Sequence, residues 1–377
     1  MKFTPTLVAG ATALLISGVA LADINIGVSI PLTGPTSALG IPTKNQLAMW
    51  PKQIGGEKIN LIILDDATDP ANATKNARRF VSDDKVDILL GSCSTPTSTA
   101  VAAVAAESGT IHFTFAPIDV SVSKAPWSYN MPQSTLVMSH AIVEHMKKNG
   151  VKTVGFLGYA DAFGELFLRD MNAKMAGSNL KFVAVERFAR TDTSVTGQAL
   201  KVTGAQPDAI LIVASGSGAA MPHLALVERG YKGKIYQTHG AASRDLMRVG
   251  GKAVEGAFVV AGPGMVAEQL PANHPSKKVA MTFVTEWEKA NGPNSRNPFA
   301  GHSYDASVVL QKIIPVALKT AKPGTPAFRG ALKAALENAG PIPLFHGTVN
   351  YTATNHAGYT DDTGVIMLIS NGDWKLQ

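Results

Sequence analysis

The sequence predicts an α/β protein built as two doubly wound, Rossmann-like lobes. Two observations carry the prediction. Short β-branched runs alternate with helical patterns of ten or more residues, and this rhythm breaks at a proline-containing stretch, Ala125 to Pro132, before it restarts. At 377 residues, 45% hydrophobic and 16% charged, the chain is long enough for two domains and has no disordered or fibrous signature.

Residues 1–22 read as a secretory signal. Lys2 supplies the positive charge, Leu7 to Leu21 is apolar and small, and Ala20-Leu21-Ala22 matches the small-x-small cleavage pattern. The apolar run is broken by Ser17 and Gly18, whereas a spanning helix needs about 20 predominantly apolar residues. No later segment reaches that length, so a mature, exported chain starting at Asp23 is expected, with no stable membrane insertion.

In the first half the expected strands are Ile24–Ile30, Lys58–Leu64, Asp87–Leu90 and Ile111–Phe115, near-continuous apolar runs of the kind that helices cover on both faces. Helices are expected at Ser37–Ile54, Ala71–Ser82 and Thr95–Glu107. Asp69-Pro70 places a capping carboxylate before a helix-compatible proline. The second half continues with a helix at Thr135–Asn149 and strands at Lys152–Leu157, Lys181–Glu186, Asp208–Ala214, Lys234–Thr238 and Ala257–Val260. Gly262–Pro275 reads as a crossing or surface loop. Ser276–Ala290 and Ser303–Lys319 follow as amphipathic helices, and Thr348–Tyr351 and Val365–Ile369 as closing strands.

Loss of Lys2 takes the formal net charge from +6 to +5, with 33 basic residues against 28 acidic ones, and the charges are interspersed. Without a basic stripe interleaved with aromatics, nucleic acid is not an expected partner. Cys93 is the lone cysteine, so no internal disulfide can form and the core must hold the fold.

Enzyme signatures are sparse. The chain has no Walker A sequence, GxSxG elbow, HExxH or CxxC. Gly216-Ser217-Gly218 lacks the third glycine of a dinucleotide fingerprint. Cys93, near a helix start, has two readings: a nucleophile with His112 or His239 as base, or a small buried hydrophobe. His140 and His145 are five apart on a helix, off a common face, and no carboxylate cluster completes a metal site. No cofactor or metal is expected.

The stretch Asp87 to Gly109 runs from a strand through a hydroxyl-rich turn into an alanine-rich helix. Ser94, Thr95, Thr97 and Ser98 stand where unpaired N–H groups and the macrodipole favour an anion, and a carboxylate suits the position. Plain helix capping is the alternative reading. Similar clusters recur after the other strands, at Thr33–Leu39, Ala116–Asp119, Tyr159–Gly164, Ser215–Gly218 and His239–Ala242. Strand carboxyl ends are where open α/β sheets bind ligands, and none of these clusters holds an acid–base pair. The pattern suits capture rather than turnover.

Ile26-Gly27-Val28, Leu32-Thr33-Gly34-Pro35 with Gly40, Asp65-Asp66-Ala67-Thr68-Asp69-Pro70, and Gly91 before the Ser/Thr turn together resemble the type I periplasmic solute-binding proteins. More narrowly, they resemble the branched-chain amino-acid (Leu/Ile/Val) binding family that feeds ABC importers. Tyr159–Gly164 and Ser303-Tyr304-Asp305-Ala306 extend the resemblance over essentially the whole mature chain. It implies two lobes joined by three crossings that close on a ligand: residues 23–132 with 263–345, and residues 133–262 with 346–377. It also implies a periplasmic monomer whose partner is an ABC permease; a ligand sensor of the same fold is the alternative.

The resemblance further assigns ligand contacts. The carboxylate falls to Cys93, Ser94 and Thr95, a carbonyl to Ala116, an aromatic to Phe163, and another contact to Ser215. Three positions depart from the family. Ile118 replaces a threonine, Leu39 replaces an aromatic, and His239 replaces the acid that grips the ammonium group. A buried ammonium without its carboxylate would cost several kcal/mol. The expected ligand is therefore a small carboxylic acid, apolar or aromatic in its body, with no α-amino group; His239 would meet a second oxygen. A branched-chain amino acid or amide is the alternative. Thr68 stands where the family has one cysteine of a disulfide.

Overall fold

The computed structural model describes residues 23–377, so the expected signal segment, residues 1–22, lies outside the described residues. Strand β1 (Ile24–Ile30) carries isoleucine and valine and is buried along most of its length; α1 (Ser37–Leu47) follows. The helix stops short of the expected Ile54. Gly55 and Gly56 both take positive φ and turn the chain into a tight hairpin of β2 (Gln53–Ile54) and β3 (Glu57–Asp65), so the last of those residues form an edge strand. Helix α2 (Pro70–Ser82) starts as expected, with Asp69 Oδ1 accepting the N–H groups of Ala71 at 2.7 Å and Asn72 at 2.9 Å. Next come β4 (Ile88–Gly91), α3 (Thr95–Ser108) and β5 (Ile111–Thr114). The proline-containing stretch is not all loop, because β6 (Ser128–Asn130) pairs in parallel with β5.

The rhythm restarts with α4 (Thr135–Lys148), β7 (Thr153–Tyr159), α5 (Ala162–Met175), β8 (Lys181–Phe188), α6 (Thr196–Gly204) and β9 (Ala209–Val213). It runs on through α7 (Ala220–Glu228), β10 (Lys234–Gln237), α8 (Arg244–Gly250) and β11 (Phe258–Ala261). Much of Gly262–Pro275 is 3-10 helix rather than open loop, over Pro263–Gln269. Helix α9 (Lys277–Asn291) precedes α10 (Pro298–Ala317), which begins before the expected Ser303 because Asn297 caps it and Pro298 fits its first turn. Helix α11 (Pro326–Glu337) escaped the sequence reading; it buries Phe328, Leu332 and Leu336. A hairpin of β12 (Ile342–Leu344) and β13 (Gly347–Val349), then β14 (Val365–Ser370) and β15 (Asp373–Leu376), complete the chain.

The first sheet has the order β2-β3-β1-β4-β5-β6 and the second β15-β14-β11-β10-β9-β7-β8. Their parallel cores, β3-β1-β4-β5-β6 and β8-β7-β9-β10-β11, repeat one winding order. Each therefore has a switch point beside its first strand, where the crevice for a ligand opens. Matching glycines set the first helix of each lobe tightly on that strand's exit. A Cβ on Gly40 would lie 2.0 Å from the carbonyl oxygen of Pro31, and one on Gly164 would lie 1.8 Å from that of Tyr159.

Two large cores follow the sheets. Ile26, Val28, Leu90 and Phe113 pack with Leu310, Ile314, Phe328 and Leu332 in the first, and Phe156, Leu211, Ile212 and Val259 with Ile142 and Phe167 in the second. The resemblance implies a first lobe that includes 263–345, whereas α9 puts Phe283 and Trp287 into the second core. Val349, Tyr351 and Tyr359, assigned to the second lobe, pack in the first core. Between the lobes, Gln133 Nε2 donates to the carbonyls of His346 at 2.8 Å and Thr363 at 2.9 Å. Asp305 accepts the N–H groups of Phe345 at 2.7 Å and His346 at 3.1 Å.

Candidate ligand-binding site

The acidic motif after β3 shapes the first-lobe wall. Asp65 Oδ1 accepts the N–H groups of Leu32 and Ala67, both at 2.8 Å, and Asp65 Oδ2 accepts the Thr33 hydroxyl at 2.6 Å, which pins the loop after β1. Those bonds hold its carboxyl below the usual range against the opposing effect of burial. Asp66 Oδ2 accepts the Ser92 hydroxyl at 2.6 Å beneath the turn after β4. Behind the wall, the Thr43 hydroxyl lies within reach of the carbonyls of Leu39 at 2.9 Å and Phe299 at 3.3 Å and of Cys93 Sγ at 3.7 Å.

The hydroxyls of the turn are spent on the protein itself. Thr95 Oγ1 donates to the Pro117 carbonyl at 2.9 Å, Ser98 Oγ to the Ser92 carbonyl at 2.6 Å, and Thr97 Oγ1 to the Ser94 carbonyl at 3.0 Å. Ser94 Oγ lies 2.6 Å from Thr97 Oγ1. Ser94 holds the N-cap position with extended backbone, yet its side chain caps nothing. Among the described residues, no group accepts the N–H of Thr95 or Thr97. Simple capping is therefore not what these hydroxyls do, and Thr95, whose N–H is open, lines a cavity.

That cavity joins both lobes. Leu39, Cys93, Ser94, Thr95 and Ala116 line it from the first lobe, and Phe163, Ser215 and His239 from the second. Ile118 is the exception among the expected residues. Asn130 holds its backbone, accepting its N–H at 3.3 Å and donating to its carbonyl at 3.2 Å, and its side chain packs with Ala102 and Val120. Pro117 and Gly240, inside two of the expected loop clusters, also line it, and two lining residues lie outside every expected cluster: Arg190 and Phe299. Only about 10 Å³ of the cavity is open to the centre of a water molecule, so the walls stand close together. Across the rim, a Cβ on Gly216, which has a φ of +57°, would lie 3.5 Å from the Cβ of Ala38.

Burial pushes His239 down to about 3, with His346 nearby adding to the effect, so its ring is neutral at pH 7. The ring packs edge-on to Phe163, and its Nδ1 is buried without a hydrogen-bond partner. Asp161 caps α5 by accepting the Phe163 N–H at 2.9 Å, and its other oxygen accepts Arg190 Nε at 2.6 Å.

Cys93 is not placed as an activated nucleophile. Burial pushes the Cys93 thiol far above its ordinary range, and Thr43 is its hydrogen-bonding neighbour. His112 bonds Ser128 and the Gly91 carbonyl. His145 bonds the Tyr236 hydroxyl at 3.0 Å while His140 lies 3.9 Å from Asp361. Among the described residues no group of three His, Cys, Asp or Glu side chains could hold a metal ion, and no helix is long and apolar enough to cross a membrane.

A family model described as periplasmic binding protein matches residues 23–370. The chain belongs to that family. Among curated relatives, this periplasmic binding protein is 24% identical over 288 residues to Leu/Ile/Val-binding protein homolog 1 of Brucella suis, 71% of this chain and 73% of the relative. Among solved structures, it is 47% identical to an extracellular ligand-binding receptor from Rhodopseudomonas palustris HaA2, with a TM-score of 0.92 over 94% of this chain and all of that one. A solute-binding protein of an ABC transporter from R. palustris, solved with benzoate, shares the fold at 18% identity and a TM-score of 0.80, over 94% of this chain and 95% of that one. Family and fold are those of solute-binding receptors rather than enzymes.

Proposed function

We propose that the protein captures a small carboxylic acid lacking an α-amino group between its lobes in the periplasm and presents it to the permease of an ABC importer. The observation that carries this reading is the charge of the cavity wall. The open N–H of Thr95 at the start of α3 favours an anion, no aspartate or glutamate among the described residues lines the wall, and the one charged side chain on it, Arg190, is already paired with Asp161. An ammonium group would meet an ion-paired guanidinium and a neutral imidazole, with no free carboxylate to receive it. Leu39, Ala116, Phe163 and Phe299 offer an apolar surface for the body of the acid. The benzoate bound by the R. palustris solute-binding protein supports an aromatic body.

Space for about one water cannot admit an acid of several carbons, so entry requires the lobes to part. We assign the hinge to the crossings tied together by Gln133: the segment after β6, the segment around His346 and the approach to β14. A calorimetric and thermal-shift screen tests the function. Aromatic or aliphatic acids should bind, and at 100 times the dissociation constant stabilise the protein by about 2.7 kcal/mol. Binding of leucine or valine, with no acid bound, would overturn it.

A further inference from the structure

Arg190 sits at the cavity with its donors only partly used. Nε donates to Asp161 Oδ2 at 2.6 Å and Nη1 to Ser215 Oγ at 3.1 Å, while Nη2 has no partner among the described residues. The guanidinium lies over the Tyr159 ring, 4.1 Å from its centroid, and the Tyr159 hydroxyl accepts the Ser215 N–H at 3.3 Å. The group is thus fixed from three sides, which lowers the ordering cost of any bond it makes to a ligand.

We infer that Arg190 and His239 form a subsite for a hydroxyl group on the bound acid, at the end remote from α3, so that the preferred ligand class is a hydroxy-substituted carboxylic acid. This rests on the proposed function. Asp161 balances the charge of Arg190, so a second carboxylate there would bring an anion without a free cation. A neutral oxygen needs only the unspent N–H groups. His239 lines the same wall, and its buried Nδ1 has no hydrogen-bond partner. A guanidinium only donates, whereas a neutral imidazole nitrogen can accept. A hydroxyl accepts from the first and donates to the second; a methyl ether can only accept.

The probes are matched pairs differing by one group: 4-hydroxybenzoate, 4-methoxybenzoate and benzoate, with the corresponding phenylacetates and 3-phenylpropanoates to vary length. For at least one length the hydroxy acid should bind wild-type protein roughly 10- to 100-fold more tightly than both the ether and the unsubstituted acid. Arg190→Met should bring the hydroxy and unsubstituted acids to within about threefold of each other. His239→Phe keeps the ring packing and the Arg190–Asp161 pair, so it reads the subsite even if Arg190→Met fails to fold; it too should erase most of the preference. If wild-type protein binds the acids without preferring the hydroxyl, or if His239→Phe keeps the preference intact, the subsite is wrong and the proposed function stands. If no acid binds, both fall.

Discussion

The Thr95 hydroxyl donates to the carbonyl of Pro117 at 2.9 Å, tying the turn after β4 to the loop after β5. Its hydrogen is therefore not free for a ligand, and the donors left to an incoming carboxylate are backbone N–H groups. Thr95→Val should weaken acid binding only about 3- to 10-fold, the scale of one neutral hydrogen bond acting through the loop. Titration calorimetry decides. A loss beyond 100-fold would mean that the hydroxyl meets the ligand directly.

Cys93 should behave as an inert core residue. Its side chain is buried against Thr43, and burial pushes its thiol upward, so native protein should resist thiol reagents that label the unfolded chain at once. Cys93→Ala should cost about 1–2 kcal/mol of stability in urea unfolding. Rapid native labelling would contradict the packing.

Acid should destabilise the fold early. Burial holds His239 down to about 3, and His112 and His223 down to about 4, so all three rings are neutral in the folded protein. Unfolded, each titrates near 6.5 and takes up a proton below that pH. Their contribution is full above pH 6.5 and declines as the pH falls toward 4. Each ring should remove about 2 kcal/mol between pH 7 and pH 5. A melting temperature flat over that interval would refute this.

Gly216 should be sensitive to size. Gly216→Ala places a Cβ at an ordinary 3.5 Å from Ala38, so it should cost about 1–2 kcal/mol of stability for the left-handed backbone and leave affinity nearly unchanged. Gly216→Val adds methyl groups where Ala38 and Leu39 already stand and should weaken ligand binding about tenfold by holding the rim apart. Equal affinities for the two variants would show that the rim does not meet when ligand binds.

Much of this architecture is legible in the chain. Buried parallel strands declare themselves by isoleucine and valine runs, Asp69-Pro70 marks a helix start, and residues after successive strands converge at the switch points. Arg190 gave no such signal. It lies beyond the end of β8, an edge strand of the second sheet, and reaches the cavity by the length of its side chain and its bonds to Asp161 and Ser215. Phe299 was hidden because α10 starts at Pro298, and Ile118 was misplaced because Asn130, distant by one strand, holds its backbone. The edge strand β2 was lost to a helical pattern that a glycine pair overrides.

The shared winding of the two sheets gives the molecule a modular economy. Equivalent segments from each half meet face to face, so the cavity is lined by a handful of side chains, and Leu39, Cys93, Phe163 and Phe299 among them also pack into the cores. Ser94, Thr95 and Ser215 stand outside those cores, so exchanging them would reshape the cavity while both scaffolds, and the outer surfaces they present, stay as they are.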